Sequence, residues 1–277
     1  MADVDRFMAL FSGLDSAYGT YKVDKPRQDG KQAGKAMVVR KAPSRELWIK
    51  HLEGAEPSLG IIPIRSDNSC SWGCIDIDQY PMEHTKLITK IQALSLPLLV
   101  CRSKSGGAHI FCFVKNKIPA AEMRKYLIGV AALLGESGRE IFPKQSEILV
   151  ERGDTGNFLN LPYHGGNESL RYGFKPDGTS ANLQEFLDLA ESFLQETLIL
   201  PDSQAETFIK DGPPCLQALC AQGFPQGSRN NGLFNLALYL KRAIPIGWED
   251  KLMEYNQRFM LPPLGLQEFQ SIVRQVS

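Results

Sequence analysis

The sequence predicts an α+β protein with a mixed, partly antiparallel sheet flanked by helices, followed by a small all-α C-terminal domain. Strand-like and helix-like apolar patterns are mixed in the first two thirds of the chain, and several strand pairs have links too short for parallel crossovers. A polar, proline-containing stretch, PDSQAETFIKDGPP, then occupies residues 201–214. After it, every apolar pattern has helical spacing. We therefore expect two domains, residues 1–205 and 206–277.

The first domain is predicted to begin with a short amphipathic helix that directs Phe7, Leu10 and Phe11 inward. Ser44 is the expected N-cap of the next helix. Strands are predicted, in chain order, at AMVV, LGIIPI, WGCIDID, LPLLVCR, AHIFCFV, SEILV and NFLNLPY. Helices are predicted at SRELWIKHL, EHTKLITKIQAL, PAAEMRKYLIGVAALLG and NLQEFLDLAESFLQ.

Four helices make up the predicted C-terminal domain, at CLQALCAQG, NNGLFNLALYLKRA, GWEDKLMEYNQRFM and LQEFQSIVRQV. The second of them carries an apolar stripe with helical spacing, which predicts a packed core. The stripe consists of Leu233, Leu236, Ala237 and Leu240. Arg229, in the GSRNN segment that precedes the stripe, is a candidate phosphate ligand.

Composition limits the location and the partners. The formal net charge is +0, so the total charge indicates no class of partner. Cys74, Cys101 and Cys112 lie in apolar strand patterns and are expected to be buried thiols, which indicates a reducing cytoplasm. No apolar run approaches the ~18 residues of a membrane span, and the start of the chain lacks the pattern of a secretory signal. We expect a cytoplasmic protein with no membrane partner.

Positive charge is concentrated in residues 22–50, which hold nine Lys or Arg residues against three Asp or Glu residues. The segment KPRQDGKQAGK within it is predicted to be a loop or a loose hairpin. Such a segment is either a solvated loop or a contact for a nucleic-acid backbone. Lys35 and Arg40 are the candidate nucleic-acid contacts.

Two aspartates stand in the strand pattern CIDID. Asp76 and Asp78 are two residues apart, so in a strand they leave the same face, where like charges repel. A divalent cation would remove the repulsion, since Mg²⁺ binds one or two carboxylates together with phosphate oxygens and waters. The alternative is a solvent-facing pair at the end of a strand.

The segment SKSGGAHIF has the composition of a phosphate-binding turn. Its glycines allow the backbone to approach a ligand closely, and successive turn N–H groups can bind an anion. The alternative is an ordinary hairpin with a structural histidine. The candidate nucleotide-binding residues of this segment are Ser103, Lys104, Ser105, Gly106, Gly107 and His109.

The segments CIDID, SKSGGAH, EIFPKQSEI and GNFLNLPYHGG together resemble the archaeo-eukaryotic primase superfamily, and most of all the primase-polymerases of phages and mobile elements. Asp76 and Asp78 match the family's first motif, and Ser103 through His109 match its second. The resemblance spans roughly residues 55–175 and 211–277, because the tail is similar to the helical module that often follows these domains. It implies the RRM-like sheet of that superfamily.

The third motif of the family is one acidic residue, and its place in this chain is open. Glu147 lies at a suitable distance before NFLNLPY, and Glu140 is the rival because it also precedes an apolar residue. Asp154 is expected to be a turn residue. Members of the family that the chain resembles usually have an aspartate at this position, so the resemblance does not decide between the two glutamates. We expect Glu147 to join the aspartates.

The resemblance implies a DNA-dependent primase-polymerase that makes primers from NTPs or dNTPs on a single-stranded DNA template. Asp76, Asp78 and Glu147 would hold two Mg²⁺ or Mn²⁺ ions, with the triphosphate between the metals and the turn that ends at His109. The sequence does not decide between ribonucleotides and deoxynucleotides. Further candidate partners for the phosphates are Lys144 and Arg171.

The resemblance also suggests partners and alternatives. Related chains often continue into a replicative helicase, so a helicase, fused or separate, is an expected partner, and a bacterial cytoplasm is the expected location if the gene belongs to a phage. A metal-dependent nuclease also needs clustered carboxylates, but it gives no reason for the Ser/Gly/His turn. A non-catalytic nucleic-acid-binding module of a replisome is the third hypothesis.

Overall fold

The computed structural model describes residues 2–23, 34–200, 209 and 212–276. Its helices are α1 (Ala2–Leu10), α2 (Arg45–Leu52), α3 (His84–Ala93), α4 (Ala120–Leu134), α5 (Leu183–Ser192), α6 (Pro214–Gln222), α7 (Arg229–Ala243), α8 (Trp248–Phe259) and α9 (Leu266–Val276). Its strands are β1 (Tyr18–Val23), β2 (Gly34–Val39), β3 (Ser58–Ile61), β4 (Ser69–Ile77), β5 (Leu99–Arg102), β6 (Ala108–Pro119), β7 (Glu140–Phe142), β8 (Leu159–Asn160), β9 (Phe224–Pro225) and β10 (Met260–Leu261).

The chain divides into two compact units. The first comprises Met1–Leu134 with Gly138–Pro201, and the second comprises Gly135–Ser137 with Asp202–Ser277. The predicted division between residues 205 and 206 lies outside the described residues, as do most of the predicted linker and most of the loop predicted at residues 25–35.

Two four-stranded sheets form the frame of the first unit, in the strand orders β2-β1-β3-β8 and β5-β6-β4-β7. Every strand pair in both sheets is antiparallel. The predicted α+β class with an antiparallel component is therefore confirmed, and antiparallel pairing extends through both sheets.

The second sheet is covered on both faces because its strands are apolar on both sides. One face, which includes Ile75, Ile77 and Ile110, packs against apolar residues of α3 and α4. The other face, which includes Trp72 and Phe111, packs in a cluster with residues of α1, α2, α5 and the first sheet. Burial on both faces fixes the register of β4 and therefore the positions of the polar residues at its end.

The N-terminal helix α1 packs as its pattern predicts, since Phe7 and Phe11 are fully buried and Leu10 is partly buried. Ser44 occupies the N-cap position of α2, but its side chain makes no capping hydrogen bond. Cys74, Cys101 and Cys112 are buried free thiols, as predicted. No helix among the described residues is long and apolar enough to cross a membrane.

The prediction of a strand at SEILV is wrong. The backbone N–H of Ile148 donates to the Asn68 side chain, at 2.7 Å, and that of Leu149 donates to the carboxylate of Asp154, at 3.1 Å. Side chains therefore satisfy donors that a strand would pair, and a single 3₁₀ turn follows at Val150–Arg152. The predicted strand at NFLNLPY is reduced to β8.

The second unit contains α6 to α9, which confirms the predicted helical tail, together with the short parallel pair β9 and β10. The predicted stripe of α7 is buried in the core of this unit. Arg229 donates from Nη1 to the carbonyl oxygen of Pro262 at 2.8 Å, which is a contact inside the unit. The guanidinium of Arg229, predicted as a phosphate ligand, thus has a hydrogen-bond acceptor within the protein.

Candidate active site

A row of polar side chains crosses the end of the second sheet. Asp76 on β4 is directly opposite His109 on β6 and directly opposite Glu140 on β7. Residues that face each other across antiparallel strands point to the same side of the sheet. His109, Asp76 and Glu140 therefore form a three-residue line, which we call the carboxylate row.

Asp76 is the central and least satisfied member of the row. Its side chain is 16% exposed, and its Oδ1 atom has no hydrogen-bond partner. The Nε2 atom of His109 lies 3.4 Å from this oxygen. A buried carboxylate oxygen without a partner is costly in a folded protein, which indicates that a ligand completes the site.

Asp78 lies just beyond the end of β4, where it is exposed. The Tyr80 hydroxyl donates to its Oδ1 atom at 2.9 Å, and the side chain of Ser105 also hydrogen-bonds that phenol. Burial, with a further contribution from the carboxylates, raises the pKa of Tyr80, so the phenol keeps its proton at neutral pH. Tyr80 thus links the second aspartate to the loop that precedes β6.

A tight turn at Ser103–Gly107 connects β5 to β6 beside this carboxylate pair. The N–H of Ser103 donates to the carbonyl of Gly107 at 2.9 Å, and the N–H of Gly106 donates back to Ser103 at 3.0 Å. Gly106 has a φ of +95°, and a Cβ on Gly107 would overlap the carbonyl oxygen of Ile77. Only glycine therefore allows the Ser103–Gly107 turn to lie against the end of β4.

Two cations, Lys104 in the Ser103–Gly107 turn and Arg171 elsewhere on the cavity wall, each have a buried nitrogen without a hydrogen-bond partner, and the carboxylate of Glu56 offsets only part of their charge. The Lys104 Nζ atom lies 3.4 Å from the centre of the Tyr21 ring and makes no hydrogen bond. Arg171 is 8% exposed, and its Nη1 atom has no hydrogen-bond partner. Burial lowers the pKa of both groups, and the positive charge of Arg171 lowers that of Lys104 further. Both charges would be stabilised by a bound anion.

Most of these groups line one cavity of about 980 Å³ in the first unit, namely Asp76, Asp78, Tyr80, Ser103, Lys104, Ser105, His109 and Arg171. Glu140 is not among the lining residues. Eight buried side-chain polar atoms lack a hydrogen-bond partner among the described residues, and five of them belong to residues that line this cavity. Such atoms are rare in folded proteins, and their concentration in one place marks a ligand site. The five residues are Asp76, Ser103, Lys104, Asn160 and Arg171.

The structure does not bring Glu147 to the aspartates. Its neighbour Ile148 bonds to Asn68, which precedes the first residue of β4, whereas Asp76 is near the end of that strand. Asn68 and Asp76 are eight residues apart along the strand, which corresponds to roughly 25 Å. The register of β7 places Glu140, the rival candidate, directly opposite Asp76 instead.

Three other residues predicted to contact phosphates or nucleic acid are Lys144, Arg40 and Lys35. The first two already bind other groups of the protein. Lys144 pairs with Glu140 at 2.7 Å, so this cation neutralises a carboxylate of the row. Arg40 is exposed and donates to the carbonyl of Gly153 at 2.7 Å. Lys35 is exposed on the edge strand β2.

Several residues that line the cavity were not predicted from the sequence, among them Tyr80, Arg102, Phe158 and Asn160. Tyr80 could have been found by its position two residues after Asp78, and Arg102 precedes the predicted turn directly. Phe158 and Asn160 lie in a segment read only as a strand. Which of its side chains face a ligand depends on pairing with β3, which no local pattern reveals.

The donor set fits a divalent cation. Asp76 offers a buried oxygen without a hydrogen bond, and Asp78 lies two residues further along the same strand direction. Among the described residues, no three His, Cys, Asp or Glu side chains form a group that could hold a metal ion alone. A cation at this pair would therefore need further oxygens from phosphates or water, which is how Mg²⁺ is commonly bound.

Comparison with known families adds an independent observation. Residues 17–191 match the family described as TOTE conflict system, Archaeo-Eukaryotic Primase domain. The match covers more than half of the chain and includes the carboxylate row and the Ser103–Gly107 turn. A comparison with curated proteins finds no match.

Proposed function

Because the chain belongs to the archaeo-eukaryotic primase family, a family of primase-like nucleotidyltransferases, we propose that it synthesises primers from NTPs or dNTPs on single-stranded DNA. Domains of this family bind nucleotides and nucleic acid and typically use divalent metal ions. The observation that carries the finer proposal is one cavity lined both by a carboxylate pair and by Lys104 and Arg171, which have buried nitrogens without hydrogen-bond partners. A nucleoside triphosphate with bound cations satisfies both sets of charges.

Each residue has a distinct part in this proposal. Asp76 and Asp78 would hold Mg²⁺ or Mn²⁺ together with phosphate oxygens and water, and Glu140, opposite Asp76, would be the third carboxylate of the site. Ions so bound would lower the pKa of the attacking 3′-hydroxyl and stabilise the charge on the leaving pyrophosphate. His109 lies beside Asp76 and donates to a phosphate oxygen.

The Ser103–Gly107 turn and the two cations hold the triphosphate. Lys104 and Arg171 neutralise its negative charge, and the Ser103 hydroxyl, whose Oγ has no partner, donates to a phosphate oxygen. Tyr80 keeps Asp78 in place through its hydrogen bond. The nucleotide is therefore positioned with its α-phosphorus near the carboxylates, which is the main requirement of phosphoryl transfer.

Incubation of the chain with a single-stranded template, labelled nucleotides and Mg²⁺ or Mn²⁺ tests the proposed activity. We expect labelled products longer than the initiating nucleotide, formed only when template and metal are both present. Degradation of the template without synthesis would instead support a nuclease. The helicase partner, the contacts of Lys35 and Arg40 with template, and the origin of the chain in phage replication stay predictions.

Separate substitution of the two candidate glutamates by glutamine distinguishes their roles. Glu140→Gln should reduce primer extension by about 10-fold to 100-fold, because it removes a charge next to Asp76 and leaves Lys144 without its partner. Glu147→Gln should leave extension unchanged, since this exposed residue lies at the far end of β4. Rates of single-nucleotide extension measure both effects. The reverse order of effects would restore Glu147 as the third carboxylate.

The pH dependence of nucleotide binding should report Lys104. Its pKa is lowered by burial and by Arg171, so the free protein loses this charge at a lower pH than an ordinary lysine would. Affinity for a nucleoside triphosphate should therefore fall as the pH rises through that lowered pKa, at a lower pH than for an ordinary lysine.

Titrations of nucleotide binding across this pH range, in wild type and two variants, make the comparison. Lys104→Arg should flatten the dependence, because a guanidinium stays charged, while Lys104→Met should bind weakly at every pH. An unchanged pH dependence in Lys104→Met would show that another group is responsible.

A further inference from the structure

An aromatic ring lies on a glycine platform inside the cavity. Gly19 on β1 and Gly60 on β3 face each other directly in the first sheet. A Cβ atom on either residue would overlap the ring of Phe158. The two glycines thus leave a bare patch of backbone, and the ring of Phe158 fills it.

The ring presents one face to this platform. The point where the Cβ of Gly19 would stand is almost equally distant from Cγ, Cδ1 and Cδ2 of Phe158. A Cβ position beyond the edge of the ring would be much closer to one of these atoms than to the others. The Cβ position of Gly19 therefore lies over the face of the ring. One face of the Phe158 ring therefore packs against the backbone of Gly19 and Gly60, and the opposite face points away from these two glycines.

The surroundings of the ring match the chemistry of a nucleobase. Phe158 lines the cavity and is only partly buried. Val38, opposite Gly19 on the edge strand, is 43% exposed and supplies an apolar neighbour. Asn160, opposite Gly60, has a buried Oδ1 atom without a hydrogen-bond partner. A flat apolar surface with a polar group at its border suits a heterocycle that has π faces and polar edges.

We propose that Phe158 is the stacking platform for the base of the incoming nucleotide, and that Gly19 and Gly60 set the position of its ring. This inference rests on the proposed function, since it concerns the nucleotide whose phosphates bind at the Ser103–Gly107 turn. Phe158 lines the same cavity as that turn, so one nucleotide can reach both. Stacking on an aromatic ring tolerates any base, as expected of an enzyme in which the template selects the nucleotide.

Binding of two probes tests the inference. An NTP and inorganic tripolyphosphate are titrated separately, each with Mg²⁺ and without template. Phe158→Leu should weaken NTP binding by about 5-fold to 150-fold, because base–aromatic stacking has that strength. Tripolyphosphate binding should stay within about twofold of wild type, because that probe has no base to lose stacking.

Three further variants separate stacking from packing. Phe158→Tyr should bind both probes like wild type, because it keeps an aromatic face. Gly19→Ala should resemble Phe158→Leu, because its Cβ displaces the ring. Phe193→Leu, a partly buried phenylalanine outside the cavity lining, is the matched packing control and should leave both affinities unchanged.

The outcomes distinguish the two proposals. Equal NTP affinity of wild type and Phe158→Leu would overturn this inference alone, as would an equal loss of both probes. A loss that appears only when template is present would assign the ring to the template strand and overturn the inference. A wild-type protein that binds neither probe would overturn the proposed function as well.

Discussion

Replacement of Asp76 by asparagine should reduce nucleotidyl transfer by on the order of 10³-fold while the fold is retained, because carboxylate-bound cations contribute several kcal/mol to such reactions. Asp76 is opposite His109 and Glu140, and its Oδ1 has no hydrogen-bond partner, so the substitution removes the carboxylate at the centre of the row. The measurement is the rate of single-nucleotide primer extension at saturating Mg²⁺.

The matched control for this variant is Glu147→Gln, which removes an acidic charge from an exposed loop at the far end of β4. Thermal unfolding should show both variants folded, with Asp76→Asn at least as stable as wild type. Extension by Asp76→Asn at the wild-type rate would contradict the assignment of the carboxylate row, whatever the stability data show.

Replacement of Arg171 by methionine should weaken triphosphate binding and stabilise the fold. Burial lowers the pKa of Arg171, which means that folding disfavours the protonated guanidinium compared with the unfolded chain. At neutral pH the group is charged, so its removal should raise the free energy of unfolding by about 1 kcal/mol or more, equivalent to about 2–4 °C in Tm.

The nucleotide loses a charged hydrogen-bond donor in the same variant. Such bonds are worth about 1.5–3 kcal/mol, so affinity should fall by about 10-fold to 150-fold. Thermal unfolding and nucleotide titration measure the two effects. Arg6→Met is the control, because Arg6 pairs with Asp188 and Glu191 outside the cavity, and its loss should leave affinity unchanged and not raise Tm. A destabilised Arg171→Met would show that this guanidinium supports the fold.

The helices and the central strands could be predicted from local patterns, because apolar periodicity distinguishes α3 and α4 from β4 and β6, but β1 and β7 were not predicted. Asp76 and Asp78 could be predicted as a pair for the same reason, since their spacing fixes their relation within one strand. The turn at Ser103–Gly107 carried its own signal in its glycines. These features depend on neighbours in sequence, which the sequence displays directly.

The third carboxylate depends on pairing between distant strands, which the sequence does not display. Glu140 and Glu147 both precede apolar residues, and only the register of β7 against β4 separates them. SEILV looks like a strand, yet side chains of Asn68 and Asp154 satisfy its backbone donors. The platform under Phe158 was hidden for the same reason, since Gly19 and Gly60 are adjacent only across two strands.

A crystal structure with a bound nucleoside triphosphate and Mn²⁺, in which anomalous scattering locates the metal, tests the central claim most directly. The account predicts Mn²⁺ bound by carboxylate oxygens of Asp76 and Asp78, with the triphosphate on the Ser103–Gly107 turn and its charge met by Lys104 and Arg171. Metal bound at Glu147, or a nucleotide outside the cavity that these residues line, would contradict it.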